Sequence, residues 1–278
     1  MTLLATGEAS LIVKVNDIQV ASIEVNVKAD EYTYISNAEQ WRTLISANPE
    51  GKFKLNADID LAGGWVTYGD SATLADTFRG EIDGQGHIVS AGWMPGGWNK
   101  GLFTYNYGTI KNIAFKNIYA TNQVYDTALV SFHYGVMENV YVDYILVNAN
   151  GYDGTGGVLA AYLDTPGVIR NCIVNVRKET ESTTIAPNYG SIIGKSCSWQ
   201  SFVYNCYAIV NDTGIKDIAY TEGAPGITKW HVDTNGSNQF ADYATFKANA
   251  NVTGYDSNVW TFTNTTISFF GRVVYEVL

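Results

Sequence analysis

The sequence predicts an all-β fold, a right-handed parallel β-helix built from stacked coils. A segment with a fixed pattern recurs four times, and each copy follows a second apolar segment with its own signature. A tandem repeat of paired strands, with no helical stretch between them, is typical of a β-solenoid. The four copies are GTIKNIAF, GVMENVYV, GVIRNCIV and SFVYNCYA, which begin at Gly108, Gly135, Gly167 and Ser201.

Each copy carries an asparagine at the same position, followed directly by an apolar residue. In the first copy, Ile113 and Phe115 share one face of a strand because side chains alternate. Ile110 lies three residues before Ile113, so both can be interior only if the chain bends at 111–112. Asparagine tolerates the left-handed backbone conformation that such a bend often needs. Stacked coils then predict a structural ladder of asparagine amides, formed by Asn112, Asn139, Asn171 and Asn205.

The regions outside the repeat predict a strand pair and two caps. Alternating apolar residues over 9–27 favour a β-hairpin, which is marginally stable alone and needs a surface to pack on. A short helix with Ser36 or Asn37 as its N-cap would cover the open end of the solenoid. The expected division is residues 1–30 for the N-terminal β-strand pair, 31–237 for the parallel β-helix and 238–278 for a C-terminal cap.

Composition excludes nucleic acid and a membrane span. The net charge is -10 and no run of basic residues occurs, whereas phosphate binding needs clustered Lys and Arg. We find no apolar run of 18 residues and no signal peptide after Met1, so no membrane insertion is expected. Two of three cysteines, Cys172 and Cys206 but not Cys197, occupy the same repeat position, which favours small buried hydrophobes.

Several runs resemble a known family when they are taken in order. They are FKLNADIDL at 53–61, FRGEIDGQGH at 78–87, GLF at 101–103 and GTIKNI at 108–113. Together they resemble the GLUG-type β-helix modules of bacterial surface adhesins and gut-bacteriophage virion proteins, over residues 31–278. The resemblance implies display and attachment, without catalytic residues to carry over. Residues 7–27 resemble the last strands of a bacterial immunoglobulin-like module, although a whole module needs about 7 strands.

A polysaccharide-cleaving enzyme is the alternative, because polygalacturonases and pectate lyases share a similar solenoid. The IDGQGH run at 82–87 resembles a polygalacturonase element that belongs to an early coil rather than to the catalytic centre. Inverting glycosidases need two carboxylates about 6.5–9.5 Å apart. The later coils contain no paired carboxylates, since their acidic residues are spread singly: Asp126, Asp143, Asp153 and Asp164.

The sequence also gives no pattern for a lyase, a metal or a cofactor. Lyases of this shape need an arginine base among Ca²⁺-binding carboxylates, and neither Arg170 nor Arg177 has an acidic cluster in sequence. The loop at 148–157 offers oxygen atoms but lacks the carboxylate spacing of a calcium loop. The three histidines lie far apart without metal-ligand spacing. We therefore expect no enzyme activity, no metal and no cofactor.

Aromatic residues are the candidate ligand-binding groups. They could stack on the apolar C–H faces of sugar rings, pack against the N-terminal strands or a neighbouring subunit, or be ordinary surface aromatics. They lie on comparable strands or in the adjoining loops. The candidates are Trp93, Trp98, Tyr105, Tyr107, Tyr134, Tyr152 and Tyr162.

The expected function is that of a non-enzymatic attachment module. The first hypothesis is a bacteriophage virion protein, a fibre or decoration module that contacts other virion or surface proteins through residues 7–27 and displays the β-helix to a host-surface glycan. The second is a fragment of a secreted bacterial adhesin, located at the cell surface. Fibres often form homo-oligomers, and this is expected by analogy alone.

Overall fold

The protein is described here by a computed structural model that covers two compact units, Met1–Tyr32 and Thr33–Leu278. The residues that it describes are 7–27, 31–64, 67–68, 77–94, 101–121, 128–147, 156–181, 183, 189–196, 201–211, 215, 232–233 and 236–277.

The first unit is an antiparallel β-hairpin of β1 (Gly7–Val15) and β2 (Ile18–Val27). Its two-residue turn is formed by Asn16 and Asp17, both with positive φ (49° and 62°), as a hairpin turn requires. The predicted strand pair is therefore confirmed. Val13, Val15, Ile18 and Ile23 are exposed, so this hairpin presents apolar side chains to solvent.

The second unit begins with a short strand and a helix and continues as strands up to a C-terminal segment. Its elements are β3 (Thr33–Ile35), α1 (Ala38–Ala47), β4 (Lys52–Leu55), β5 (Ile59–Asp60), β6 (Glu81–Asp83), β7 (Ile88–Ser90), β8 (Trp93–Met94), β9 (Phe103–Asn106), β10 (Thr109–Thr121), β11 (Val130–His133), β12 (Val136–Val147), β13 (Ala160–Leu163), β14 (Val168–Arg170), β15 (Ile173–Lys178), β16 (Ile193–Ser196), β17 (Ser201–Tyr204), β18 (Tyr207–Asn211), β19 (Val232–Asp233), β20 (Asn238–Phe240), α2 (Tyr243–Asn249), β21 (Trp260–Phe262), β22 (Thr266–Phe269) and β23 (Arg272–Glu276).

These strands form a parallel β-solenoid of about 4 turns, which confirms the predicted fold class. Three faces run along it. Sheet A contains β3, β4, β6, the first residues of β10 and β12, then β14, β17 and β19. Sheet B contains β5, β7, the later residues of β10 and β12, then β15, β18 and β20. Sheet C contains β9, β11, β13 and β16.

The bends between sheets A and B lie at the repeated asparagines. All four have left-handed backbone conformations, with φ between 46° and 53°. Asn139 Nδ2 donates to Asn112 Oδ1 at 3.1 Å, and Asn112 Nδ2 donates to Asp83 Oδ1 at 3.1 Å. The bends let residues three apart both face the interior, since Ile110 and Ile113 are 1% and 0% exposed.

A second polar column lies further along sheet B. Asn175 Nδ2 donates to Asp143 Oδ1 at 2.9 Å, and Asn211 Nδ2 donates to Asn175 Oδ1 at 2.8 Å. The Asn117 backbone N–H donates to Asp143 Oδ2, and the Arg177 guanidinium also contacts Asp143. These side chains continue from coil to coil, so the column joins four successive coils.

The interior is apolar and continuous. The Cys172 and Cys206 side chains are fully buried in it, as predicted from their repeat position. Burial raises the pKa of the Cys172 thiol well above its ordinary value, because the charged form would lose its hydration. These two cysteines are therefore packing residues.

Helix α1 covers the first coil with Trp41 and Ile45, each 1% exposed. Asn37 is its N-cap, since its side chain accepts from the Gln40 backbone N–H at 2.9 Å. The Trp41 indole meets Phe115 edge-on, with ring centroids 6.4 Å apart. The predicted capping helix is thus present, with Asn37 rather than Ser36 as the cap.

The C-terminal segment, residues 241–277, follows the last coil of the solenoid and also packs along its side. Helix α2 and strands β21–β23 pack on the outer surface of sheet B, where they bury Ala114, Tyr141, Ile173 and Tyr207. At the early coils, Arg272 Nη1 contacts Asp58 Oδ1 at 2.5 Å. No helix in the described part of the chain is long and apolar enough to cross a membrane.

Candidate functional site

Sheet C carries two columns of stacked aromatic rings that are partly exposed to solvent. The first column is formed by the third residue of β9, β11 and β13, namely Tyr105, Phe132 and Tyr162, which are paired in register. The second is formed by Tyr107 and Tyr134, two residues further along each coil, where the chain leaves sheet C. Together with Arg79, these five rings are called the aromatic surface below.

The rings of the first column lie face to face. The Tyr105 and Phe132 centroids are 4.9 Å apart with ring planes inclined by 16°, and the Phe132 and Tyr162 centroids are 4.8 Å apart with planes inclined by 6°. Both faces of Phe132 are therefore covered by its neighbours. Such pairs contribute about 0.5–1.5 kcal/mol each beyond their burial, so the column also holds the coils together.

The second column ends in a cation. The rings of Tyr107 and Tyr134 are stacked and nearly parallel, with planes inclined by 4° and centroids 4.4 Å apart. The Arg79 guanidinium lies 5.2 Å from the Tyr107 centroid, which is the geometry of a cation–π interaction. Tyr107 is nevertheless 41% exposed. Its ring edge and hydroxyl therefore face solvent while both ring faces are covered.

The geometry decides what this surface can bind. A sugar ring stacks on an aromatic face, but the faces within these columns already contact one another or Arg79. For Phe132 and Tyr107, whose two faces are both covered, the parts left for a partner are the ring edges and the Tyr107 hydroxyl beside the Arg79 guanidinium. Tyrosine and arginine are enriched at protein interfaces, and tyrosine gives a large contact area at low entropic cost. The surface therefore suits protein contact better than sugar stacking.

Four of the seven predicted aromatic residues belong to the aromatic surface: Tyr105, Tyr107, Tyr134 and Tyr162. Trp93 lies apart from it on β8 and stacks on Tyr119, with centroids 5.3 Å apart. Trp98 and Tyr152 lie outside the described residues. Phe132 and Arg79 were missed, because a search for tyrosine and tryptophan overlooks phenylalanine and the arginine is 28 residues from Tyr107 in sequence.

The buried polar pair behind sheet C has a structural role. His133 Nδ1 lies 3.0 Å from Asn106 Nδ2, which donates to it, and His133 Nε2 donates to the Val168 carbonyl at 3.3 Å. Burial lowers the pKa of His133 to about 4, with the Val168 hydrogen bond opposing the change. The ring is therefore neutral at pH 7.

The carboxylates considered for catalysis are held by structural contacts where the structure describes them. Asp143 is 6% exposed and paired with Arg177 at 3.3 Å, and Asp164 accepts from the Thr165 backbone N–H at 2.7 Å. Asp126 and Asp153 lie outside the described residues, as does most of the loop at 148–157.

Arg170 likewise has an acidic partner that lies far from it in sequence. Its Nη2 lies 2.8 Å from Glu138 Oε2, on the adjacent coil of sheet A. On the same sheet, Lys111 Nζ lies 2.8 Å from Glu81 Oε1 and 3.8 Å from Asp83 Oδ2. Register places Asp83, Lys111, Glu138 and Arg170 in one column of alternating charge. Such pairing neutralises the sheet surface, which is a structural use of these groups.

The described residues contain no group of three or more His, Cys, Asp or Glu side chains that could hold a metal ion. An open cleft of about 600 Å³ lies between the end of β15 and the start of the C-terminal segment. Its lining offers equal numbers of cations and carboxylates: Arg177, Lys178, Glu179, Thr180, Glu181, Asn211 and Ala241.

Comparison with known proteins gives a likeness of fold. No family model and no curated protein matches the chain. Among solved structures, a crystal structure described as "a putative immunoglobulin A1 protease from Bacteroides ovatus" matches with 23% identity and a TM-score of 0.49. The match covers 64% of this chain and 57% of that one. No activity follows for this chain from a likeness of this size.

Proposed function

We propose that this protein is a non-enzymatic attachment module, a bacteriophage virion protein of the fibre or decoration type, whose β-solenoid displays the aromatic surface to a protein on the host cell. The observation that carries the proposal is the stacked geometry of the five rings beside Arg79. A surface of exposed ring edges and hydroxyls on a stiff scaffold loses little conformational entropy on binding.

The N-terminal hairpin supplies the second half of the proposal. Val13, Val15, Ile18 and Ile23 are exposed on a two-stranded unit, which is marginally stable alone in water. We assign this hairpin the role of docking the module to other virion or surface proteins. The resemblance of residues 7–27 to immunoglobulin-like strands supports the same role. A secreted bacterial adhesin would use both surfaces in the same way.

The test compares two variants for binding to intact bacterial cells. Fluorescent protein is applied to a panel of gut isolates, with and without protease treatment of the cells. We expect the double variant Tyr134→Ser, Tyr162→Ser to lose binding to protease-sensitive sites by about tenfold. The matched control is Tyr34→Ser, which removes a tyrosine that is 44% exposed elsewhere on the solenoid.

The outcomes separate the partners and the biological setting. Binding that survives protease but is lost after periodate oxidation of the cells would replace the protein partner with a glycan. Equal loss in the Tyr34 control, or no loss in the double variant, would contradict a role for the aromatic surface. Immunogold labelling of purified phage particles distinguishes a virion protein from a bacterial adhesin.

A further inference from the structure

The first half of the C-terminal segment is anchored on the last coils of the solenoid. The Tyr207 hydroxyl, on β18, donates to the Asn251 carbonyl at 2.7 Å. The Tyr255 hydroxyl donates to the Cys172 carbonyl, one coil earlier, at 3.3 Å. The Tyr255 ring also stacks on Tyr207, with centroids 5.7 Å apart and planes inclined by 19°. Both tyrosines are buried, so this end of the segment is firmly packed.

The second half of the segment continues towards the first coils. Trp260 Nε1 donates to Asn139 Oδ1 at 3.5 Å, on β12. Phe270, in the turn between β22 and β23, then lies directly on Gly86. A β-carbon added at Gly86 would be 2.5 Å from Phe270 Cβ, so only glycine allows this approach. Each successive contact of the segment therefore lies on an earlier coil.

A polar contact holds the tip of the segment beside this turn. Arg272 Nη1 lies 2.5 Å from Asp58 Oδ1, directly before β5. The same carboxylate oxygen accepts from the Ile88 N–H at 3.0 Å and lies 3.1 Å from His87 Nδ1. The IDGQGH run at 82–87 therefore forms part of the seat for the hairpin of β22 and β23.

The two ends of the segment are separated by most of the described solenoid. Between them lie six successive strands of sheet B, namely β5, β7, β10, β12, β15 and β18. Neighbouring strands are about 4.8 Å apart, so the first and last of these strands are about 24 Å apart. In a solenoid each coil contacts only its neighbours, and the end coils can open separately from the rest. The C-terminal segment adds contacts that do not follow this nearest-neighbour order.

We propose that the C-terminal segment is a clamp, which couples the first coils to the last so that the solenoid unfolds as one unit. A coil that opens at the early end loses its contact with the tip of the segment as well as its neighbouring coil. Opening at the late end removes the anchor of the whole segment. Neither end then opens independently. This conformational device goes beyond the attachment role and does not depend on it.

The test follows early and late coils separately during urea unfolding of the full chain. Hydrogen exchange with mass spectrometry monitors early peptides from 52–60 and 81–90, and late peptides from 173–178 and 207–211. In the unmodified protein we expect both groups to unfold at one shared urea midpoint.

The double variant Phe270→Ala, Arg272→Gln releases the tip of the segment and changes no residue of the solenoid coils. We expect its early peptides to exchange about tenfold faster than in the unmodified protein, and to unfold at a lower urea concentration than its late peptides.

The matched control is Ile82→Val, which removes a methyl group from the interior of an early coil and leaves the C-terminal segment in place. Because the clamp still joins the two ends, this variant should lower the midpoints of early and late peptides together.

Three results would overturn the proposal. They are different midpoints for early and late peptides in the unmodified protein, a shared midpoint in the double variant, and separate midpoints in Ile82→Val. Cell binding does not enter this test, so the clamp and the attachment role fail separately.

Discussion

The side-chain amide of Asn139 lies above that of Asn112 in the next coil, and its Nδ2 donates to Asn112 Oδ1 at 3.1 Å. Asn112 Nδ2 in turn donates to Asp83 Oδ1, so the Asn112 amide joins three coils, with its oxygen bound to one neighbouring coil and its nitrogen to the other. Its φ of 53° is a conformation that costs most other residues about 1–2 kcal/mol. The residue therefore serves both the bend and the stack.

This dual role predicts a graded effect of substitution at position 112. Asn112→Ala loses the hydrogen bonds and keeps an unfavourable backbone conformation, so the free energy of unfolding should fall by about 2 kcal/mol. Asn112→Gly loses only the hydrogen bonds and should cost about 1 kcal/mol. Urea unfolding of the two variants measures the difference. Equal losses would show that the bend itself is not strained.

His133 predicts a loss of stability in mild acid. Its pKa is about 4 in the folded protein and 6.5 when unfolded, so between these values the unfolded chain binds more protons. Stability is then full above pH 6.5 and falls by about 3 kcal/mol as the pH drops to 4.

The variant His133→Leu should remove that part of the pH dependence, because leucine does not titrate. Leucine suits this position, since Leu163 stands at the paired position of the next coil. Urea unfolding at pH 7 and at pH 4.5 measures the loss of stability between the two pH values in each protein. The carboxylates contribute equally to this loss in both proteins. An unchanged difference between the two pH values would contradict a buried, neutral histidine.

Asp58 predicts a smaller effect at lower pH. Partial burial alone would raise the pKa of Asp58, but hydrogen bonds from Arg272, the Ile88 backbone N–H and His87 outweigh it and hold that pKa at about 2. The stabilisation is present above the unfolded pKa of about 3.9 and is lost as the pH falls towards 2. Because the carboxylate is 45% exposed, it contributes less than about 1 kcal/mol.

A double-mutant cycle of Asp58→Asn and Arg272→Gln isolates this contact between the C-terminal segment and the early coils. We expect the coupling in melting temperature to be present at pH 6 and clearly smaller at pH 2, where about half of the folded molecules carry a protonated Asp58. Coupling as large at pH 2 as at pH 6 would show that the contact does not need the charged carboxylate.

The two described cysteines should be protected in the folded protein. Cys172 and Cys206 are 0% exposed, and burial raises the pKa of Cys172. A thiol reagent should therefore modify them only in denaturant, since the thiolate is the reactive form. Peptide mapping after labelling measures this for each residue. Labelling of either cysteine at the rate of a free thiol would contradict the packed interior.

The bends could be predicted from the sequence because one residue type repeats at them, whereas the second polar column could not. At that column the successive coils supply Asn117, Asp143, Asn175 and Asn211, which do not lie at a fixed distance after the bend asparagine of each coil, so no regular spacing marks them. The contact between the C-terminal segment and the outer surface of sheet B could not be predicted from the sequence either. In the strand VMENVYVDYILV, apolar residues face both the interior and the outer surface, and such a run does not indicate which partner covers its outside.

The aromatic surface was predicted in part for a similar reason. Its tyrosines are visible in the sequence, but whether their ring faces are free depends on the register of β9, β11 and β13. That register sets which ring faces are covered by a neighbouring ring, and only the fold supplies it.

The most direct test of the central claim is the binding of the fluorescent protein to intact, protease-sensitive host cells. Our account predicts about a tenfold loss for the Tyr134→Ser, Tyr162→Ser variant and no loss for Tyr34→Ser. Equal binding by the unmodified protein and the double variant would contradict attachment through the aromatic surface.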